Sequence, residues 1–183
     1  MLLKCLTIME DIVHCHIRIG GKKLAKIINL ERNLEFKIYL RNNTIFDYNS
    51  ERNDYENWIP FLLHLVLPTR IITIDENMKA TMTIFELKNL IQGLENILEY
   101  LNNQKNFLYK FVNSESFFEL NVESIPEDNV IEFELWINIG NQTGGKIYGF
   151  DEGVRFISTK KELDNFLVDL KKDFIKIINP YTF

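Results

Sequence analysis

Residues 70–101 read RIITIDENMKATMTIFELKNLIQGLENILEYL, and residues 146–177 read KIYGFDEGVRFISTKKELDNFLVDLKKDFIKI. Laid side by side without a gap, they share Asp75/Asp151, Glu76/Glu152, Thr83/Thr159, Glu86/Glu162, Leu87/Leu163, Asn89/Asn165 and Leu94/Leu170. Other positions are like for like, such as Arg70/Lys146, Lys79/Arg155, Leu90/Phe166, Ile91/Leu167 and Leu98/Phe174. The shared residues are those that turn, cap and pack a chain. Each copy reads as a strand, an Asp-Glu turn, a second strand and then Thr-x-x-Glu. That spacing is a capping box, in which Thr and Glu side chains each satisfy a backbone N–H at a helix start. Behind Thr83, the residues Leu87, Leu90, Ile91, Leu94, Leu98 and Leu101 fall at helical spacing. Behind Thr159, Leu163, Phe166, Leu167, Leu170, Phe174 and Ile177 do the same. Asn102-Asn103 closes the first helix and Pro180 the second.

Around the repeat the chain reads as strands and turns. Residues 1–45 look like short strands: 14–19 (HCHIRI) alternate up to Gly20-Gly21, and 34–40 (LEFKIYL) alternate up to Asn42-Asn43. Residues 47–57 read as a polar, acidic loop leading into Trp58-Ile59-Pro60. The first repeat is read as strands over 70–74 and 78–82, joined by Asp75-Glu76-Asn77. In the second half, 117–123 alternate with Phe118, Leu120 and Val122 on one face, and 124–129 (SIPEDN) form a turn. Residues 130–139 alternate with Ile131, Phe133, Leu135, Ile137 and Ile139 facing one way. A turn over 141–145, a strand over 146–150, a turn at Asp151-Glu152-Gly153 and a strand over 154–157 complete the pattern. The expected fold is α+β, antiparallel sheet with two amphipathic helices, built as an internal pseudo-repeat of strand-turn-strand-helix units. No Gly/Pro/Ser-rich linker divides the 183 residues, so one domain over 1–183 is expected, with halves of about 1–103 and about 107–183 sharing a core.

Composition narrows the function classes. The chain is 46% hydrophobic and 13% aromatic, as a folded globule should be. Its net charge of −5 speaks against nucleic acid as the main partner and suits a basic protein. Met1-Leu2-Leu3-Lys4-Cys5 lacks a basic segment followed by a long apolar run. The most apolar stretch, 58–67, is too short to span a bilayer and carries His64. No membrane association and a cytoplasmic location are therefore expected. Two cysteines, Cys5 and Cys15, do not make a disulfide framework.

Motifs for chemistry are scarce. Asp75-Glu76 and Asp151-Glu152 would suit a metal or an acid/base pair, but turn chemistry explains both, with Gly153 directly following the second. His14, Cys15 and His16 bring no further ligand cluster, and His64 lies in an apolar run, which suits structural roles. Thr143-Gly144-Gly145-Lys146 lacks the first glycine and the following Ser/Thr of a phosphate loop, and a hairpin turn explains it. No nucleophile elbow and no zinc-protease motif is present. The expectation is a protein that is not an enzyme and holds no cofactor or metal.

The polar side of the second-half strands is more informative. Opposite the apolar rows stand Phe117, Glu119, Asn121 and Glu123 on one strand, and Glu132, Glu134, Trp136 and Asn138 on the next. Two readings fit. One is a solvated face whose Trp tucks under a loop. The other is a protein interface, where a Trp anchors and carboxylates select a basic partner. On the second reading Glu119, Glu123, Glu132, Glu134 and Trp136 are contact candidates, with Asp54 and Glu56, beside Asp47 and Glu51, extending the surface from the first half.

Taken in order, these segments resemble the WapI family of bacterial immunity proteins. The residues that carry the likeness are DYENWI at 54–59, the T-x-x-E-L helix start at 83–87 and F-x-x-x-x-x-F-F-E-L-N-V at 111–122. A Trp-bearing strand, G-x-x-x-G-F at 145–150 and a second E-L-x-x-[FL] helix follow. Residues 1–45 depart from the pattern. The resemblance implies a cytoplasmic antidote that binds the C-terminal domain of a polymorphic, contact-dependent toxin, typically a nuclease. It would block that domain stoichiometrically, without catalysis. No binding residue carries over from the family. On the residues alone, a small-molecule-binding or scaffold domain stands as the alternative.

Overall fold

A computed structural model describes residues 25–41, 48–143, 146 and 151–179. The readings placed on Cys5, His14, Cys15, His16, Asp47 and Pro180, and on most of 144–150, lie outside these residues.

The strands are β1 (Ala25–Ile28), β2 (Glu35–Leu40), β3 (Trp58–Val66), β4 (Ile71–Ile74), β5 (Thr81–Thr83), β6 (Phe107–Val112), β7 (Phe118–Ile125), β8 (Val130–Asn138) and β9 (Asp151–Ser158). The helices are α1 (Ile84–Asn102), a single turn α2 (Ile139–Gln142) and α3 (Lys160–Ile178). The fold is α+β. One antiparallel sheet runs β1-β2-β3-β4, with β5 pairing the first residues of β3; the other is the meander β6-β7-β8-β9.

Both long helices start where the caps predict. Thr83 Oγ1 accepts from the Glu86 N–H at 3.1 Å, and a Glu86 carboxylate oxygen accepts from the Thr83 N–H at 2.7 Å, so the first capping box is complete. At α3, Thr159 Oγ1 accepts from the Glu162 N–H at 3.2 Å, but the Glu162 carboxylate turns to Arg32, 3.7 Å away. The second box is therefore half made.

The helices cross over between the sheets. α1 follows the first sheet in sequence yet packs on β6 and β7, whereas α3 follows the second sheet and packs on β1 and β2. Two close fits hold this exchange. A Cβ on Gly93 of α1 would lie 2.5 Å from Cδ2 of Tyr109 on β6, so only glycine lets the tyrosine ring lie against the helix. The Tyr109 hydroxyl donates to the Asn89 carbonyl at 2.9 Å, and the partial burial of the side chain pushes its ionisation up. On the other side Phe166 of α3 meets Phe36 of β2, ring centres 5.8 Å apart. Nearly all the buried apolar residues of both sheets and both helices form one connected cluster.

Several readings need correction. Residues 107–112 (FLYKFV) form a strand that was not read as one, because apolar residues on both faces hide the polar alternation. The strand read at 78–82 is Thr81–Thr83, since Asp75 caps a 3-10 turn at Glu76–Met78 first. Asp151-Glu152-Gly153 is no turn: the three residues open β9, and Glu152 pairs with Arg70 across the two sheets. Gly153 instead leaves room for the Trp136 ring on the neighbouring strand. Phe117 does not share the acidic face; it is half-buried, edge-on to Phe61 with ring centres 6.3 Å apart.

Candidate protein-binding face on the second sheet

Alternation along β6–β9 turns one side of the second sheet to the core and the other to solvent. Ile131, Phe133, Leu135 and Ile137 of β8 are fully buried on the inner side. The strand register sets the outer side in three cross-strand rows. The first is Leu108, Glu123, Glu132 and Ile157; the second is Lys110, Asn121, Glu134 and Arg155; the third is Val112, Glu119, Trp136 and Gly153.

The register therefore brings together five of the candidate residues: Glu119, Glu123, Glu132, Glu134 and Trp136. It also adds residues that sequence reasoning passed over. Leu108, Val112 and Ile157 are 48%, 55% and 38% exposed, large apolar groups among the acids. The signal for the first two was the alternate aromatic series Phe107, Tyr109, Phe111, which marks β6 as a strand with its other residues facing out. Arg155 was noted only as a repeat position.

The charges on this face are not evenly compensated. Arg155 lies 3.3 Å from Glu132 and 3.2 Å from Glu134. Glu134 also accepts from the Trp136 indole N–H at 2.8 Å. That hydrogen bond, with the Arg155 guanidinium, holds the Glu134 carboxyl below the usual carboxylate range. Glu119 and Glu123 on β7 have no ion-pair or hydrogen-bond partner among the described residues. Glu123 stands directly opposite Glu132, and like charges so placed weaken a sheet. The face thus carries a net negative charge, four carboxylates against Lys110 and Arg155, with the two acids of β7 in no ion pair among the described residues.

Trp136 is held in one position. Its cross-strand neighbour is Gly153, where a Cβ would press on the Leu135 carbonyl and lie 2.5 Å from Cε3 of the indole. A glycine in mid-strand leaves a notch, and an aromatic from the next strand fills it. With its N–H on Glu134, the indole lies across the sheet and remains 38% exposed.

Asp54 and Glu56 belong to a different surface. Asp54 pairs with Lys88 of α1 at 2.6 Å, and Glu56 accepts from the Asn53 N–H at 3.2 Å. Between them Tyr55 stacks on Phe85 at 4.2 Å. The loop is braced by the buried Asn57 side chain, which accepts from the Asn49 N–H at 3.0 Å and donates to the Asn53 carbonyl at 3.1 Å. α1 packs on the inner side of the second sheet, so these two acids sit over the helix while the other four face away from it.

His64 is buried on β3, with its ring centre 5.0 Å from that of Tyr39. Burial first, and then Lys37 opposite, depress its pKa, with Asp75 opposing. Among the described residues no group of three His, Cys, Asp or Glu side chains is placed to hold a metal. Among the same residues no helix is long and apolar enough to cross a membrane.

The model of the immunity protein WapI-like family matches residues 26–177, which includes every strand and helix above except the ends of β1 and α3. No curated protein matches. Among solved structures, the plant transcriptional regulator PBF-2 aligns at a TM-score of 0.47 and 12% identity, over 89% of this chain and 87% of its own. WHY1 from Arabidopsis thaliana aligns at 0.45 and 11%, over 90% and 96%. WHY3 from Arabidopsis thaliana aligns at 0.44 and 14%, over 87% and 90%. Likenesses this loose transfer no function.

Proposed function

The chain belongs to the immunity protein WapI-like family, and from that premise we propose that it neutralises one cognate toxin domain by stoichiometric binding in the cytoplasm. The toxin proposed is the C-terminal domain of a polymorphic, contact-dependent toxin, a basic nuclease. The observation that supports this reading is the outer face of the second sheet. There Glu119 and Glu123 stand outside any ion pair among the described residues, beside the exposed Leu108, Val112 and Trp136, on a face that is net negative even with Lys110 and Arg155. Free carboxylates interleaved with large apolar side chains make a surface that is costly to leave bare and selective for a cationic partner. A nuclease supplies such a partner, because binding phosphate needs clustered Lys and Arg. Asp54 and Glu56, over the start of α1, are proposed as a second contact region for a toxin large enough to reach around the sheet edge.

The test is co-expression. A large secreted toxin is expected to be encoded beside this gene. Expression of its C-terminal domain alone should stop growth, co-expression with this chain should restore it, and a 1:1 complex should be isolable. Absence of both rescue and complex would remove the reading.

A further inference from the structure

We infer that the third cross-strand row, Val112–Glu119–Trp136, is a seat for one arginine side chain of the protein partner. The inference rests on the toxin-binding reading and names the chemistry at its centre. Three independent features converge there. The indole of Trp136 is fixed flat by the Gly153 notch and by its N–H bond to Glu134, and is still 38% exposed. Glu119, directly opposite on β7, has no partner of its own among the described residues. Val112, next in the row on β6, is 55% exposed.

An arginine satisfies all three at once. Its planar guanidinium stacks on an indole face, its fork of N–H donors matches a carboxylate, and its methylene stem covers aliphatic surface. Directly opposed side chains on neighbouring strands stand about 5 Å apart at Cβ. The indole leans toward Gly153, so an arginine laid across the row from Val112 passes the Glu119 carboxylate before its guanidinium meets the near edge of the ring. A lysine meets Glu119 equally well but gains less from the ring, because its ammonium is compact and strongly hydrated. The rest of the face fits the same occupant. The face already contains an internal example, Arg155 of the second row reaching Glu132 of the first and Glu134 of its own. Because the indole is held before binding, little side-chain entropy is lost on contact.

The experiment uses the full chain and two synthetic probes of equal charge, Ac-(Gly-Arg)4-NH2 and Ac-(Gly-Lys)4-NH2, followed by NMR of the Trp136 indole N–H. The arginine peptide should bind several-fold more tightly than the lysine peptide and shift the indole signal. W136A should abolish that preference while leaving salt-sensitive binding of both peptides, and E119Q should weaken the arginine peptide more than the lysine one. G153A, if it folds, should behave like W136A through loss of the notch. Equal binding of the two peptides, or a preference that survives W136A, would overturn the proposal. Neither result bears on growth rescue by co-expression, so failure here and failure of the immunity reading are separable.

Discussion

Glu95 of α1 and Lys171 of α3 form an ion pair between the two long helices, and they occupy matching positions in the two aligned stretches, 70–101 and 146–177. Two identical charges there would repel, and this chain has one of each sign. Both side chains are more than a third exposed, so the pair orients the helices and adds little stability. Single alanine substitutions are expected to cost under about 1 kcal/mol, with a double-mutant coupling of roughly 0.2–1 kcal/mol that shrinks with salt. Urea unfolding of the four proteins in the cycle measures it, and the charge swap E95K/K171E should recover the wild-type value.

The two helix caps should differ in their worth. At α1 the Glu86 carboxylate also accepts from the Ser114 N–H at 2.6 Å and from the Asn113 side chain at 3.3 Å, and both Glu86 and Asn113 are buried. It therefore ties the helix start to the β6–β7 turn. Glu86→Ala removes a cap and strands buried donors, costing about 2–4 kcal/mol. Glu162→Ala, at the half-made box of α3, should cost under about 1 kcal/mol. Equal losses in chemical denaturation would mean that the buried contacts of Glu86 contribute nothing.

His64 should make stability depend on pH. Its folded pKa lies below the unfolded value because burial disfavours the imidazolium. As pH falls below about 6.5, the unfolded chain takes up the proton first, so stability falls until the folded pKa is passed. His64→Gln should flatten the curve in that window. A variant that keeps the wild-type pH slope would assign the effect to other groups.

Charge on the outer sheet face should control the rate of toxin capture. Because Arg155 already offsets Glu132 and Glu134, reversal at Glu119 and Glu123, outside any ion pair among the described residues, should slow association more than E132K/E134K. The slower pair is expected to lose about tenfold at low salt, with the difference fading as salt is raised. Stopped-flow measurement against the confirmed toxin domain reads it, and identical rates for all variants would place the interface elsewhere.

Much of this was legible in residue order. Thr83 and Thr159 announced the helix starts, and the strict alternation of 130–139 announced β8 with its buried side up to Asn138, Ile139 opening α2 instead, because caps and period-two patterns are local physics. The acidic side of β7 and β8 followed from the same alternation. β6 escaped because FLYKFV is apolar on both faces, one for the core and one for the exposed patch. Gly153 was misassigned because glycine before a strand reads the same whether it serves a turn or leaves room for a ring.

By itself, then, the sequence determined the two long helices and most of the strands, which side of each is apolar, and that acids gather opposite the apolar row of the second half. Only the tertiary structure decided how those parts meet. It gave α1 to the second sheet and α3 to the first, since an apolar stripe states that a helix needs a partner without saying which. It also decided which acids are paired. Arg155 reaches Glu132 and Glu134 and not Glu119 or Glu123 because strand register, a long-range property, sets its neighbours.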